Sequence, residues 1–243
     1  MAAEPIPLDD RTWLLVLTGA GVSAESGVPT FRGVDGLWRT HPVERVASPE
    51  GFAADPALVW EFYSERRALA GTVAPNPGHR ALVRAEERLG ERFLLVTQNV
   101  DGLHRRAGSS RLVELHGNLF TSRCSRCARE PFPDSTAYPS GTVPVCDACG
   151  ARLRPHIVWF GEMLDERNLG AIDAFLEAGR QGRLLFLAAG TSGAVYPAAG
   201  LVDVARRAGA DTWLVNADAA DNAQHFDHVL RGKSGELLPA LLG

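Results

Sequence analysis

Four short apolar runs recur along the chain, each stopping abruptly at glycine or a small polar residue: RTWLLVLTGAG from Arg11, RFLLVTQN from Arg92, RLLFLAAGTS from Arg183 and TWLVNAD from Thr212. A run with no polar alternation has no face to offer water, so each predicts a strand buried on both sides, as in a parallel sheet. Helical patterns lie between the runs. NPGHRALVRAEERLG has Asn76 as an N-cap and Gly90 as a stop, and LDERNLGAIDAFLEAGRQG and YPAAGLVDVARRAGA read as amphipathic helices. Strands alternating with helices of this length predict an α/β fold with a doubly wound, Rossmann-like parallel sheet. Ligands of such sheets collect at the carboxyl ends of the strands, where all four polar tails fall.

Two segments break the alternation. Residues 36–75 are mostly helical in pattern, ending in PALVWEFYSERRAL, and residues 119–154 are rich in Pro, Ser, Gly and Cys. Both read as insertions that form a smaller module beside the sheet. The expected division is therefore 1–35, 76–118 and 155–243 for the Rossmann-like domain. A helical insertion over 36–75 and a zinc-ribbon-like insertion over 119–154 make up the small domain, with a substrate cleft between the two.

Composition narrows the function classes. A chain of 243 residues accommodates one large domain with insertions, and a formal net charge of -4 gives no global field toward nucleic acid or a membrane surface. No apolar run approaches the ~20 residues of a membrane span. The N-terminus MAAEPIPLDD has neither the basic nor the apolar region of a secretory signal, so a cytoplasmic location is expected. Lys233 is the only lysine among the basic residues, a bias that genome composition accounts for.

The first run leads into Gly19-Ala20-Gly21-Val22-Ser23-Ala24, a G-x-G-x-x-A dinucleotide turn. Its glycines permit the turn and a close approach of backbone N–H groups to a pyrophosphate. A plain strand–helix turn has the same look. The acidic strand end that a dehydrogenase places about 20 residues further on is missing, because PTFRGVDGLWRTHP is no strand. That counts against hydride transfer.

Cys124-Ser125-Arg126-Cys127 and Cys146-Asp147-Ala148-Cys149 are paired C-x-x-C motifs whose four thiolates can close a tetrahedral zinc site with no open position. Redox or disulfide pairs are the alternative. Gln98-Asn99-Val100-Asp101 follows a strand directly. Its amides and carboxylate suit a carboxamide ligand, with a helix N-cap as the bland alternative. His116, in VELHGNLF, is by itself more often structural than catalytic.

Taken together and in order, GAGVSAESGVPTFRG, TQNVDGLHRRAG, ELHGNLF, the two C-x-x-C pairs, RPHIVWFGE, GTSGAVYPAAG and VNAD resemble the sirtuins over roughly residues 15–235. The resemblance implies NAD bound in an inverted sense and one structural zinc. Gly19, Ala20, Gly21, Ser23 and Glu25 would lie around the pyrophosphate, with Phe31 and Arg32 in a loop closing over the cofactor. Gln98, Asn99 and Asp101 would line the ribose and nicotinamide pocket. Gly190, Thr191, Ser192 and Asn216 would hold the adenosine half, with Ser234 at adenine. Asp218 stands where many relatives carry Glu, and Val100 where isoleucine is frequent. The acyl-lysine carbonyl oxygen would attack the nicotinamide ribose, with His116 as general base on a ribose hydroxyl. The backbone around Val158, Trp159, Phe160 and Gly161 would pair with an extended acyl-lysine peptide as an added strand.

Tyr63 and Arg66 stand at i and i+3 on one helical face. In the sirtuin class with acidic acyl substrates, a Y-x-x-R pair on this helix ends the acyl-lysine tunnel, and the similarity implies desuccinylase and demalonylase activity beside deacetylation. Guanidinium and phenol suit a carboxylate, while a solvated surface pair is the bland reading. A mono-ADP-ribosyltransferase using the same NAD site and a non-catalytic NAD-sensing module are the rival readings.

Overall fold

The structure is a computed structural model describing residues 4–30 and 42–243. The chain opens with β1 (Thr12–Thr18) and the short α1 (Ala20–Ala24), then α2 (Val43–Val46), α3 (Pro49–Ala54), α4 (Pro56–Thr72) and α5 (Pro77–Leu89). It continues through β2 (Phe93–Thr97), α6 (Leu103–Ala107), β3 (Leu112–Glu114), β4 (Gly117–Cys124), β5 (Phe132–Pro133) and β6 (Leu153–Ile157). The remainder is α7 (Glu166–Gly179), β7 (Arg183–Ala189), α8 (Leu201–Arg207), β8 (Asp211–Asn216), β9 (His228–Arg231) and α9 (Ser234–Leu242).

The expected parallel sheet is present. Six strands run in the order β3-β2-β1-β7-β8-β9, every neighbouring pair parallel. Successive residues of β1 serve opposite faces. Leu15 and Leu17 join a cluster with Phe175 and Leu176 of α7 and Val202 of α8. Leu14 and Val16 join another with Leu82 of α5 and Leu238 and Leu241 of α9. Two covered faces explain why the middles of these strands are aliphatic and their polar residues lie toward the strand ends, each buried Leu or Val contributing ~1.5–3 kcal/mol.

Helix ends obey local chemistry. Asn76 accepts from the Gly78 and His79 backbone N–H groups while His79 returns a bond to Asn76 N, a reciprocal cap on α5, and Gly90 closes it at φ +59. Ser48 and Asp55 cap α3 and α4, each followed by proline.

A second, three-stranded antiparallel sheet has the order β5-β4-β6. Its inner face shares one apolar cluster with α2–α4: Trp60, Phe62 and Tyr63 pack with Leu119, Leu153, Ile157 and Trp159. Trp60 Nε1 donates to Leu153 O at 2.9 Å. β4 and β6 carry the chain through 118/119 and 154/155 without a break.

Candidate functional site

Register places the site. Thr18 of β1 stands level with Thr97 of β2 and Ala189 of β7, and Ala189 with Val215 of β8. The four strands therefore end on one rim and deliver Gly19, Gln98, Gly190 and Asn216 side by side. The chain leaves β1 toward β2 and β3 and later returns to β7 on the opposite side, so the crevice opens at the switch between β1 and β7. A cavity of about 600 Å³ occupies that crevice and extends toward α4 and the end of β6.

At the strand ends the backbones touch. Gly19 N donates to Ala189 O at 3.0 Å and Gly21 N to Gly190 O at 2.8 Å. Gly190 has φ +61, and a Cβ there would lie 2.3 Å from Val22 N, so no side chain fits at this crossing. Gly19, Ala20, Gly21, Gly190, Thr191 and Ser192 all line the cavity, as do Asn216 and Asp218. Asn216 Nδ2 donates to the carbonyls of Thr191 and Asp218, both at 3.1 Å, which fixes the turn after β8. Gln98 Nε2 donates to Thr191 Oγ1 at 3.1 Å, and Asn99 Nδ2 to Gly19 O at 3.0 Å and Ser23 Oγ at 3.2 Å. Both amides are held in fixed orientation at the cavity wall.

His116 lines the same cavity. Its Nδ1 lies 3.2 Å from Gln98 O; a carbonyl only accepts, so Nδ1 carries the proton and Nε2 keeps its lone pair. Burial holds the imidazole pKa below its ordinary value, only partly opposed by the Gln98 bond, and the ring is neutral at pH 7. The next residue must be glycine: Gly117 has φ +85, and a Cβ there would lie 2.0 Å from His156 O. The His116 carbonyl accepts from Val158 N at 2.9 Å, joining the histidine to the segment after β6.

Val158, Trp159, Phe160 and Gly161 line the cavity together with Tyr63 and Arg66 of α4. Tyr63 is buried and Arg66 half-buried. Desolvation pushes the Tyr63 phenol up to about 12, so it stays protonated, and burial lowers Arg66 while Tyr63 and Asp101 act against the shift. Trp159 Nε1 donates to the Tyr63 hydroxyl at 2.9 Å.

Four expected site residues do not line this cavity. Ser23 is fully buried behind the first turn. Asp101 accepts from Leu103 N at 2.8 Å, capping the start of α6. Burial raises its pKa, and the Ser23 hydroxyl is the first group to oppose the rise. Glu25 accepts from Gly235 N at 2.7 Å and so ties the end of α1 to the start of α9, where Ser234 is buried. These side chains support the walls from behind. Phe31 and Arg32 lie outside the described residues. Sequence reading missed an apolar flank of the cavity formed by Leu164, Leu169, Val195, Tyr196 and Pro197. The only signal was the motif GTSGAVYPAAG, which contains three of the five.

The four cysteines converge. Their sulfur atoms all lie within 4.8 Å of one another, with Cys124–Cys149 at 3.5 Å and Cys127–Cys146 at 3.8 Å. Zn–S bonds of ~2.3 Å in a tetrahedron require sulfurs ~3.8 Å apart, so the set fits zinc. The backbone N–H groups of Cys127 and Arg126 donate to Cys124 Sγ at 3.3 and 3.4 Å, which favours the ligating thiolate there. Four sulfurs leave no position for water, so such a metal is structural.

Among the described residues no helix is long and apolar enough to cross a membrane.

Residues 19–197 match the Sir2 family. A protein of Shewanella oneidensis named NAD-dependent protein deacylase is 48% identical over 233 residues, covering 94% of this chain and 92% of that protein. A protein of Aquifex aeolicus with the same name is 47% identical over 205 residues, covering 84% and 83%. A Sir2 homolog–NAD complex superposes with TM-score 0.84 at 38% identity over 99% of this chain and 94% of that one. A mutant Sir2 homologue bound to ADP ribose gives TM-score 0.87 at 42% identity, covering 94% and 90%. A Sir2 complex with a deacetylated p53 peptide and 3′-O-acetyl ADP ribose gives 0.79 at 28%, covering 94% and 91%. With its glycine crossing, His116 in the cavity and its cysteine cluster, the chain belongs to the Sir2 family.

Proposed function

We propose that this protein is an NAD-dependent protein-lysine deacylase that removes succinyl and malonyl groups, and acetyl groups beside them, yielding nicotinamide and 2′-O-acyl-ADP-ribose. The observation that carries the acyl assignment is the presence of Tyr63 and Arg66 in the same cavity as His116. Both are drawn into the protein, whereas a merely solvated pair would sit on an outer helix face. A carboxylate entering a largely apolar tunnel loses its water and needs a fixed cation and donor at its end.

NAD, when bound, supplies an electrophilic ribose carbon, nicotinamide as leaving group and the hydroxyl that takes over the acyl group. The crossing of Gly19, Gly21 and Gly190 presents bare backbone along the cavity, which supports placing the NAD diphosphate there. Thr191, Ser192, Asn216 and Asp218 would face its adenosine half, and Gln98 and Asn99 its nicotinamide ribose. Ser23, Glu25, Asp101 and Ser234 would hold these walls in position. His116, neutral with its free Nε2 lone pair in the cavity, would take the proton of the ribose hydroxyl as that oxygen bonds to the acyl carbon. Water would complete release of the lysine amine. The segment Val158–Trp159–Phe160–Gly161 would carry the acyl-lysine peptide in extended form past the tunnel mouth.

On this reading residues 1–35, 76–118 and 155–243 hold the cofactor, and 36–75 with the zinc-bound 119–154 close the acyl end. A cytoplasmic site of action belongs to the same reading. Turnover of matched acetyl-, succinyl- and malonyl-lysine peptides with NAD tests the proposal. Nicotinamide and acyl-ADP-ribose should appear in equal amounts, with the succinyl peptide preferred. Label from NAD retained on protein instead would indicate ADP-ribosyl transfer.

A further inference from the structure

The contact between Trp159 and Tyr63 does more than pack two rings. An indole N–H can only donate, so at 2.9 Å it makes the Tyr63 oxygen an acceptor. A phenol O–H stays near the ring plane with two orientations. With one lone-pair side occupied by the indole, the proton turns to the other side of an oxygen whose residue lines the cavity with Arg66. The phenol is protonated throughout the working pH range, so that proton is always available. A carboxylate has no proton of its own to give and can be met only by donors.

Trp159 is itself held unusually firmly. The Arg154 guanidinium lies 3.4 Å from the centre of its ring, and Phe52 packs at 5.3 Å. Trp159 N donates to Glu162 Oε2 at 2.9 Å, and Arg154 grips both Glu162 oxygens at 2.6 and 2.8 Å, with Arg123 adding a third contact at 3.3 Å. On the far side Phe160 N donates to Ala47 O at 3.0 Å. Such a clamp fixes the indole N–H direction, which is the property a polarity-setting group needs.

We infer that Trp159 is a specificity-determining residue: its indole N–H, fixed by the Arg154–Glu162 pair, commits the Tyr63 hydroxyl to donate into the acyl tunnel and so favours acyl groups that end in a carboxylate. The inference rests on the acidic-acyl reading above and adds to it the residue that orients the reader. Trp159 acts through Tyr63, so its removal lowers succinyl-lysine turnover more than acetyl-lysine turnover, whatever it does to the peptide binding that both substrates share.

The test is the ratio of kcat/KM for succinyl- and acetyl-lysine versions of one peptide in wild type, Trp159→Phe, Tyr63→Phe and the double variant. Trp159→Phe should lower the ratio roughly 3- to 10-fold, the worth of one neutral hydrogen bond. The double variant should have the same ratio as Tyr63→Phe alone. An unchanged ratio in Trp159→Phe, or an equal further drop in the Tyr63→Phe background, overturns the inference. Where Trp159→Phe does not fold, Glu162→Gln loosens the clamp instead. It should lower the ratio in the Tyr63 background and not in the Tyr63→Phe one, and no change in either overturns the role. If the ratio responds to Tyr63→Phe and not to Trp159, only the Trp159 role falls. If neither Tyr63 nor Arg66 substitution moves it, the acidic-acyl reading falls and takes this inference with it.

Discussion

The Arg67 guanidinium meets the Asp134 carboxylate at 3.0 Å with the two side chains 0% and 6% exposed, joining α4 to the loop after β5. The same guanidinium donates to the carbonyls of Leu119, Thr121 and Thr136 and to Ser122 Oγ, so its donors are satisfied. A buried cation this well bonded holds the helical insertion against the zinc-bearing sheet. Arg67→Ala takes the cation from a buried carboxylate and a donor from several carbonyls, and a loss of about 3–5 kcal/mol is expected. Thermal unfolding measures it; a change within about 0.5 kcal/mol would show that the joint is held by apolar contact alone.

Asp134 gives that joint a pH dependence. Burial raises its pKa, but the Ser122 hydroxyl, Arg67 and the Thr136 N–H outweigh it, and the folded-state pKa is depressed. The sign follows: the carboxylate's contribution is fully present above its unfolded value of ~3.9 and is lost as pH falls through the lower folded value. Asp134→Asn should therefore lower stability at neutral pH and flatten the acid limb of the stability curve below about pH 4. Parallel acid limbs in both proteins would contradict this.

One zinc per chain is expected, held by Cys124, Cys127, Cys146 and Cys149. Chelation or Cys146→Ser should destabilise the three-stranded sheet before it slows chemistry, because the cluster is distant in role from His116. Elemental analysis with thermal unfolding decides it, and active, folded protein without stoichiometric zinc would refute it.

His116→Ala should lower turnover roughly 100-fold or more while NAD still binds. In the unsubstituted protein the depressed imidazole pKa moves the acid limb of kcat/KM below the ordinary value of ~6.5. The base is therefore active through neutral pH and lost only on stronger acidification. A limb centred at or above 6.5 would mean that a different group titrates.

Arg66→Met should cost succinyl-lysine turnover on the order of 30-fold to several-thousand-fold and leave acetyl-lysine turnover little changed, since only the first substrate brings a charge to be paired. Tyr63→Phe should act in the same direction and less. Equal losses on both substrates would assign the pair to supporting α4.

The apolar runs made the central parallel strands legible because burial on both faces leaves no polar alternation along a strand. Asn76 and Gly90 marked α5 because capping is local chemistry. The cysteine spacing was equally direct, four sulfurs being enough to define a site. The short strands β3, β5 and β9 carried no comparable signal, being only two to four residues long. Glu25, Asp101 and Ser234 were grouped by motif with residues that line the cavity, although their side chains serve the backbone behind it.

The sequence by itself therefore determined the four central strands of the sheet, the cysteine set and the polar tails at those strands' ends, since those follow from periodicity and spacing along one chain. Tertiary structure alone decided the rest. It put Gly190 against Gly21, 169 positions earlier in the chain, gave His116 Nδ1 its carbonyl partner on Gln98, buried Arg67 among five acceptors, and set the Trp159 indole on the Tyr63 hydroxyl. Each of these is a contact between segments far apart in sequence, and hydrogen-bond direction and desolvation exist only once the fold has brought the partners together.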